Sequence, residues 1–419
     1  MTDHRPNRPR VYVLGGAQTD FARNWHREGL GIEAMMREVM TEGLAAAGLE
    51  PSDVEAAHLG NFVAELFCGQ GQLGGILAGL APEFSGIPTS RHEAACASGS
   101  MALMAAMADI EAGRQDLVAV LGVEFMRNVP GETAARHLGA AALAGCEWQD
   151  ARYLWPRAFS DLAEVYGERY GPLDYRHLGE IARINYANAR RNPKAQTRGW
   201  HFGPRSFQAD DAENPVIEGN VRRNDCGQVT DGAAVVFLAS EARAARYAAA
   251  RGLALSDLAL IDGWGHRTAP MRFADKLREG ASTPFVLPHV HATIRDAFGR
   301  AGIADAFELD LIETHDCFAM TEYMAIDAFG ITAPGEAWKA VEDGVIAADG
   351  RLPVNPSGGL IGLGHPVGAT GVRMMLDAAN QVTGRADDMQ VEGARRAGIL
   401  NIGGSATTIA AFVVGQGPA

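Results

Sequence analysis

Four short stretches of the 419-residue chain combine thiols, imidazoles and glycines in ways that could do chemistry. In Arg91-His-Glu-Ala-Ala-Cys-Ala-Ser-Gly-Ser100, Cys96 stands among small residues at the head of a run, Ala94 to Ala108, that carries no charged side chain. Such a run reads as a helix that is apolar on every side and buried in a large core. A thiol at the N-terminal end of a helix sits near positive partial charge, which favours the thiolate. The small neighbours leave room for a substrate, so Cys96 is the candidate covalent nucleophile. A free cysteine also serves as a small core hydrophobe, so Cys96 needs partners to count as more.

Three stretches supply candidates. His365 lies between Gly364 and Pro366 in a glycine-rich loop, where the backbone can approach other groups closely. An imidazole fixed there can take a thiol proton or hold a developing oxyanion; the alternative is a core histidine bonded to a carbonyl. His315-Asp316-Cys317-Phe318 follows a strand signal and offers a donor, His315, and a second thiol, Cys317, able to protonate a carbanion. The alternative there is a tight turn with Asp316 capping the next helix. In Asn401-Ile-Gly403-Gly404, glycines after a strand expose N–H groups suited to an oxyanion hole, or form an ordinary turn.

Other motifs fail on spacing. Gly362 and Gly364 are followed by glycine at 368, one residue too late for a dinucleotide fingerprint. There is no Walker loop, no GxSxG elbow and no HExxH pair. His289 and His291 lack further ligands, and no zinc-ligand spacing occurs, so no metal is expected. Cys68 and Cys146 have no chemical context.

The elements that must position these groups alternate. Arg10–Ala17, Ala57–Asn61 and Leu117–Val123 read as buried strands, with a helical pattern over Gly29–Ala47 and the Cys96 helix between them. From Met126 to Asn224 no long strand signal appears. Aromatic residues crowd that section, and it holds fourteen Lys and Arg against twelve Asp and Glu, net +2, in a chain of net charge −14. It reads as an excursion of loops and short helices: either a mouth for a large anionic ligand with a ring to stack, or a solvated cover whose arginines pair with neighbours. The core pattern resumes over Gly227–Leu238. A second half follows in similar order: strands at Leu258–Trp264, Leu309–His315, Ala397–Gly404 and Ala406–Val414, with helices over His289–Gly299 and up to Phe329. The expected fold class is α/β, a mixed sheet covered on both faces, with an internal duplication.

Composition limits the function. At 47% hydrophobic and 21% charged the chain reads as soluble and globular, and its acidity argues against a nucleic-acid partner. Five cysteines without paired spacing fit a reducing compartment. Neither a secretory leader, nor a membrane-spanning run, nor a peroxisomal address is expected, which leaves a cytoplasmic location.

Taken together, Cys96 in its Ala-Cys-Ala-Ser-Gly-Ser setting, Asn224-Asp-Cys-Gly-Gln-Val-Thr-Asp-Gly-Ala233, His315-Asp-Cys-Phe318 and Gly364-His-Pro-Val-Gly-Ala-Thr-Gly371 resemble thiolases in order and spacing. The His-Asp-Cys-Phe block and the Asn-Ile-Gly-Gly end are most similar to the sterol-carrier-protein-2 type and related acetyl-CoA acetyltransferase-like thiolases. The resemblance implies a five-layered αβαβα thiolase fold of two duplicated halves, residues 1–125 with 225–260 and residues 261–419. Residues 126–224 would be a loop domain that holds coenzyme A. It implies an acyltransferase of lipid metabolism, of the β-oxidation kind, acting on 3-ketoacyl-CoA with coenzyme A as co-substrate, and a homodimer or homotetramer. Cys96 would carry the acyl group, His365 would draw off its proton, and the Cys96 and Gly403 N–H groups would bind the thioester oxygen. Many thiolases carry the acid as a cysteine two residues before that glycine. Asn401 stands there instead, and in the subgroup resembled the cysteine of His-Asp-Cys-Phe substitutes, so Cys317 would protonate the enolate. His315 would help His365 bind an oxyanion. Rival readings are a ketoacyl-synthase-like condensing enzyme, against which Cys317 argues, and a non-catalytic acyl-CoA-binding subunit.

Overall fold

Alternation of side chains along the strands builds two cores back to back. In the computed structural model, which describes residues 9–418, the first five strands of the large sheet are β1 (Val11–Gln18), β2 (Ala56–Gly60), β3 (Thr89–His92), β4 (Leu117–Glu124) and β5 (Gly232–Ser240). They hydrogen-bond in the order β3-β2-β4-β5-β1. β2 runs parallel to β3 and β4, while β5 is antiparallel to β4 and β1. The remaining strands of that sheet are β6 (Ala259–Thr268), β7 (Leu311–Thr314), β8 (Arg396–Gly403) and β9 (Thr408–Gln416), in the order β6-β9-β8-β7. β9 is antiparallel to β6 and β8, β8 is parallel to β7, and a parallel bridge from Ile312 to Val354 stands where β3 stands in the first set. The strand pattern therefore repeats, and among the described residues the two sets of strands pair where Tyr12 and Val13 of β1 meet Leu260 and Ala259 of β6. The duplication that weak residue identity could not prove is plain in the pairing.

The main helices are α1 (Ile32–Ala47), α2 (Ser98–Glu111), α3 (Leu154–Tyr170), α4 (Tyr175–Ala189), α5 (Phe273–Gly280), α6 (Pro288–Ala301), α7 (Ala319–Phe329) and α8 (Thr370–Val382). Successive strand residues face opposite ways. On β5, Ala233, Val235 and Phe237 pack with α1 outside, whereas Ala234, Val236 and Leu238 turn inward. On β9, Ala410, Phe412 and Val414 share that inner core, while Ile409, Ala411 and Val413 face α6 and α7. Between the two sheets lie α2 and α8, which give Ala102, Leu103 and Ala106, and Val372, Met375 and Ala379, to the common core. The result is the expected five-layered αβαβα arrangement.

The middle section differs from its reading as loops and short helices. It forms two long helices, α3 of 17 residues and α4 of 15. Their apolar faces (Phe159, Leu162, Tyr166, Ile181, Ile184) join the core on the outer side of the second sheet. A buried face repeating at helical spacing was present in the sequence, but the crowd of aromatics hid it. Among the described residues no helix is long and apolar enough to cross a membrane. The charged first eight residues, read for the absence of a leader, and the final residue lie outside the described residues.

Candidate active site

Cys96 sits in the single turn Ala95–Ala97 that leads into α2. Ala95 has φ of 50°, a left-handed conformation uncommon for a residue with a Cβ. The turn is held by Glu93, whose carboxylate accepts from the Ala95 N–H, and by Ser98, whose hydroxyl accepts from the Ala94 N–H and donates to the Ala95 carbonyl. Burial pushes the Cys96 thiol up to about 12. Its own N–H and that of Gly404 point at the sulfur and pull the other way, but they do not prevail. The expected thiolate-favouring effect of the helix end is thus outweighed by desolvation: at rest this is a neutral thiol.

The glycine loop delivers His365. Its backbone N–H donates to Thr230 Oγ1 at 3.0 Å, and Val229 bridges to it in parallel. Its Nδ1 lies 2.7 Å from Thr370 Oγ1, and that hydroxyl donates onward to the Pro366 carbonyl. The hydroxyl can then only accept from the ring, so Nδ1 carries the proton. Nε2 is left buried with a free lone pair and no partner. Burial first, then the Arg373 guanidinium, lowers the imidazole to about 3, so it is neutral.

His315 follows β7 and is 1% exposed, edge-on to His365 with ring centroids 5.3 Å apart. Burial, the neighbouring imidazole and Arg373 all keep it unprotonated. Ser100 donates to Asn401 Oδ1 at 2.7 Å, which fixes the amide so that its NH2 faces His315 Nδ1 at 3.1 Å. Nδ1 is therefore the acceptor and the proton sits on Nε2. One atom each of Cys96, His315 and His365 lies within 4.8 Å of the others. A sulfur and two neutral imidazoles this close are also a donor set that could take a metal ion, although the sequence showed no metal-ligand spacing.

Cys317 completes the group. Its sulfur is 3.7 Å from Thr321 Oγ1, and burial first and then Cys96 keep its thiol protonated. Cys96, Cys317, His365 and Gly404 line one cavity of about 320 Å3. Its other walls are apolar and come largely from the middle section: Leu138, Tyr153, Trp155 and Phe159, with Arg223 as a cation and Cys226 as a third thiol. The sequence therefore named four side chains that the fold brings to one place.

Gly403 ends β8, and a Cβ there would collide with the Ala94 carbonyl oxygen; the N–H of the next residue, Gly404, lies by the Cys96 sulfur. The middle section also differs from an open basic mouth. Arg157, Arg205 and Arg222 pair with Asp161, Asp210 and Asp211, and Arg198 pairs with Asp20. Tyr186, Trp200, Phe202 and Phe207 pack on one another, while Trp155 and Phe159 reach the cavity.

Comparison with known proteins settles the family. Residues 11–197 match the family described as Thiolase, N-terminal domain, and residues 280–416 match Thiolase C-terminal domain-like. The chain is 33% identical over 415 residues to the acetyl-CoA acetyltransferase of Methanothermobacter thermautotrophicus, covering 96% of this chain and 98% of that one. This chain belongs to the thiolase family. It is 27% identical to sterol carrier protein 2 of Oryctolagus cuniculus, covering 97% of this chain and 72% of that protein. In fold it is similar to the Ltp2-ChsH2(DUF35) aldolase, with a TM-score of 0.76, 20% identity and coverage of 97% and 98%. It is likewise similar to human mitochondrial 3-ketoacyl-CoA thiolase in complex with CoA, with a TM-score of 0.67, 17% identity and coverage of 98% of each chain.

Several groups around this thiolase site escaped the sequence. Asp316 does not cap the helix after it; its carboxylate accepts from the Leu360 and Ile361 N–H groups and from Asn185, so it ties the His315–Cys317 turn to the glycine loop. Glu124, fully buried, accepts from the Phe62, Val63 and Gly368 N–H groups and holds the other end of that loop. Nothing local marks either acid. The spacing of Thr370, five residues after His365, was the one signal available.

Proposed function

We propose that this protein catalyses coenzyme-A-dependent cleavage of a 3-ketoacyl-CoA into acetyl-CoA and a shortened acyl-CoA, or the reverse Claisen condensation, through an acyl-Cys96 thioester. The observation that carries this reading is the meeting of Cys96, His365 and His315 within 4.8 Å, beside a cavity lined by Cys96, His365 and Cys317.

Cys96 and His365 rest as a neutral pair because burial opposes either charge. Attack of the sulfur on the 3-keto carbon and transfer of its proton to His365 Nε2 therefore occur together. The bond between C2 and C3 breaks, and its electrons form the acetyl-CoA enolate. Cys317 protonates that enolate and becomes a thiolate. A second coenzyme A gives its thiol proton to Cys317 and its sulfur to the acyl carbon; Cys96 leaves and recovers its proton from His365. The Nε2–H of His315 donates to one oxyanion, and the Cys96 and Gly404 N–H groups serve the thioester oxygen, in place of the Gly403 amide expected from sequence. In this reading residues 126–224 hold coenzyme A around Arg223 and the mouth of the cavity, residues 1–125 with 225–260 and residues 261–419 are the two halves, and the enzyme works in the cytoplasm as a homodimer or homotetramer.

Intact mass after mixing with acetoacetyl-CoA tests the reading. The expected result is an acetyl adduct on Cys96 that Cys96→Ala abolishes. Cys317→Ala should still acylate but not turn over. An unmodified wild-type mass would instead support a non-catalytic acyl-CoA-binding subunit. A panel of ketoacyl thioesters then sets chain length, for which the apolar wall of Leu138, Trp155 and Phe159 predicts acceptance of groups larger than acetyl.

A further inference from the structure

The loop that carries Gly404 is strained and is held by a charge. Gly404, Ser405, Ala406 and Thr407 connect β8 to β9, which pair up to Gly403 and Thr408. Gly404 has φ of 61° and Ala406 has φ of 62°. Two left-handed residues in four, one of them with a Cβ, are a conformation that the surroundings must impose. Part of the restraint is within the hairpin, where the Thr407 N–H donates to the Gly403 carbonyl at 2.9 Å. The Ala269 N–H also donates to the Thr407 carbonyl at 2.8 Å, and α5 adds a side-chain clamp. Lys276, 1% exposed, sends its ammonium to Ser405 Oγ at 2.6 Å and to Thr407 Oγ1 at 2.7 Å.

A fully buried ammonium bonded to two neutral hydroxyls, and not to a carboxylate, is costly. No ion pair joins Lys276 to an acid among the described residues, and burial lowers its pKa to about 8, with Glu147 the acid acting against that shift. A methionine or leucine would fill the same space without that cost. What it would lose is the grip on both arms of the loop.

We propose that Lys276 is a positioning residue for the Cys96 site: its ammonium clamps the Ser405–Thr407 arms and so aims the Gly404 N–H at the oxygen of the thioester formed on Cys96. The inference rests on the acyl-Cys96 reading above and deepens it. Lys276 touches neither substrate nor sulfur; it acts through the loop. Misplacing one oxyanion donor by a fraction of an ångström removes much of its effect on the transition state while leaving binding of the thioester unchanged.

The test compares wild type, Lys276→Met and Ser405→Ala in the full-length protein. Three quantities are measured: the rate of adduct formation on Cys96 with acetoacetyl-CoA, kcat and KM for thiolysis, and the melting temperature. Lys276→Met should lower the acylation rate and kcat about tenfold to a hundredfold with KM within about twofold, on a protein that still melts cooperatively. Ser405→Ala, which keeps the lysine and removes one of its two anchors, should show the same split more weakly, and covers the case in which Lys276→Met does not fold. Unchanged acylation in either folded variant overturns the proposal, as does a fall in kcat that KM follows in step. If wild type itself forms no adduct on Cys96, the acyl-enzyme reading fails and takes this inference with it.

Discussion

His365 Nδ1 and Thr370 Oγ1 are 2.7 Å apart, and this one bond decides which ring nitrogen is the base. Because the hydroxyl is already committed as a donor to the Pro366 carbonyl, the ring must donate to it, and the free lone pair is left on the buried, unpartnered Nε2. Thr370→Val keeps the shape and removes the acceptor. The buried Nδ1–H would then lack a partner, at a cost of about 1–3 kcal/mol of stability. The ring would be free to tilt or change tautomer, and acylation of Cys96 should slow by about tenfold to a hundredfold. Single-turnover acylation and denaturant unfolding check both numbers; a variant that acylates at the wild-type rate would show that Thr370 does not set the base.

The same burial makes stability depend on pH in a definite direction. His365 titrates near 6.5 when unfolded and at about 3 when folded. Between these values the unfolded chain binds a proton that the folded chain refuses, so its contribution is intact above pH 6.5 and is lost as pH falls toward 3. Glu124 and Asp316, raised to about 7 by burial, act with the opposite sign, so total stability hides the effect. The difference between wild type and His365→Asn isolates it. From pH 8 to pH 5 the variant should gain about 2 kcal/mol relative to wild type. A pH-independent difference in urea midpoints would mean that His365 is already accessible to protons in the folded state.

What the chain revealed on reading and what it withheld divide along physical lines. The core patterns of Leu117–Val123 and Gly227–Leu238 were legible because a strand buried on both faces leaves a local apolar run, and these segments overlap β4 and β5. Cys96, His315, Cys317 and His365 were legible because reactive types stood at the head of an uncharged helical run, at a strand end and in a glycine-rich loop. The helix-cap alternative for Asp316 fails because the N–H groups that donate to its carboxylate, those of Leu360 and Ile361, lie 44 and 45 residues on. The protonation state of Cys96 was misread because the helix end is local and its desolvation is not.

Gly403 lets the end of β8 pack directly on the nucleophile's turn, and a substitution exposes this. The Ala94 carbonyl oxygen packs on its Cα, leaving no space for a side chain. Gly403→Ala must push the Ala94–Ala97 turn away, and with it Cys96. The expected cost is about 1–3 kcal/mol of stability from overpacking, together with loss of acylation. Intact mass after acetoacetyl-CoA and a thermal melt measure the two effects; normal acylation on a stable protein would mean that the turn has slack the structure does not show.

Asn401 offers the sharpest single-atom test, since it occupies the position where many thiolases are expected to hold their acid. Ser100 donates to its Oδ1, so its NH2 donates to His315 Nδ1 and leaves the proton of His315 on Nε2, on the side of Cys96 and His365. Asn401→Asp changes one NH2 to an oxygen and nothing in size. The carboxylate still accepts from Ser100 but can no longer donate, so His315 Nδ1 must take the proton and Nε2 becomes an acceptor. An acceptor facing a developing oxyanion repels it. Turnover should fall about a hundredfold or more, with KM for the ketoacyl thioester little changed and Cys96 still in place for alkylation. A folded Asn401→Asp enzyme working within about twofold of wild type would show that His315 does not serve as the oxyanion donor.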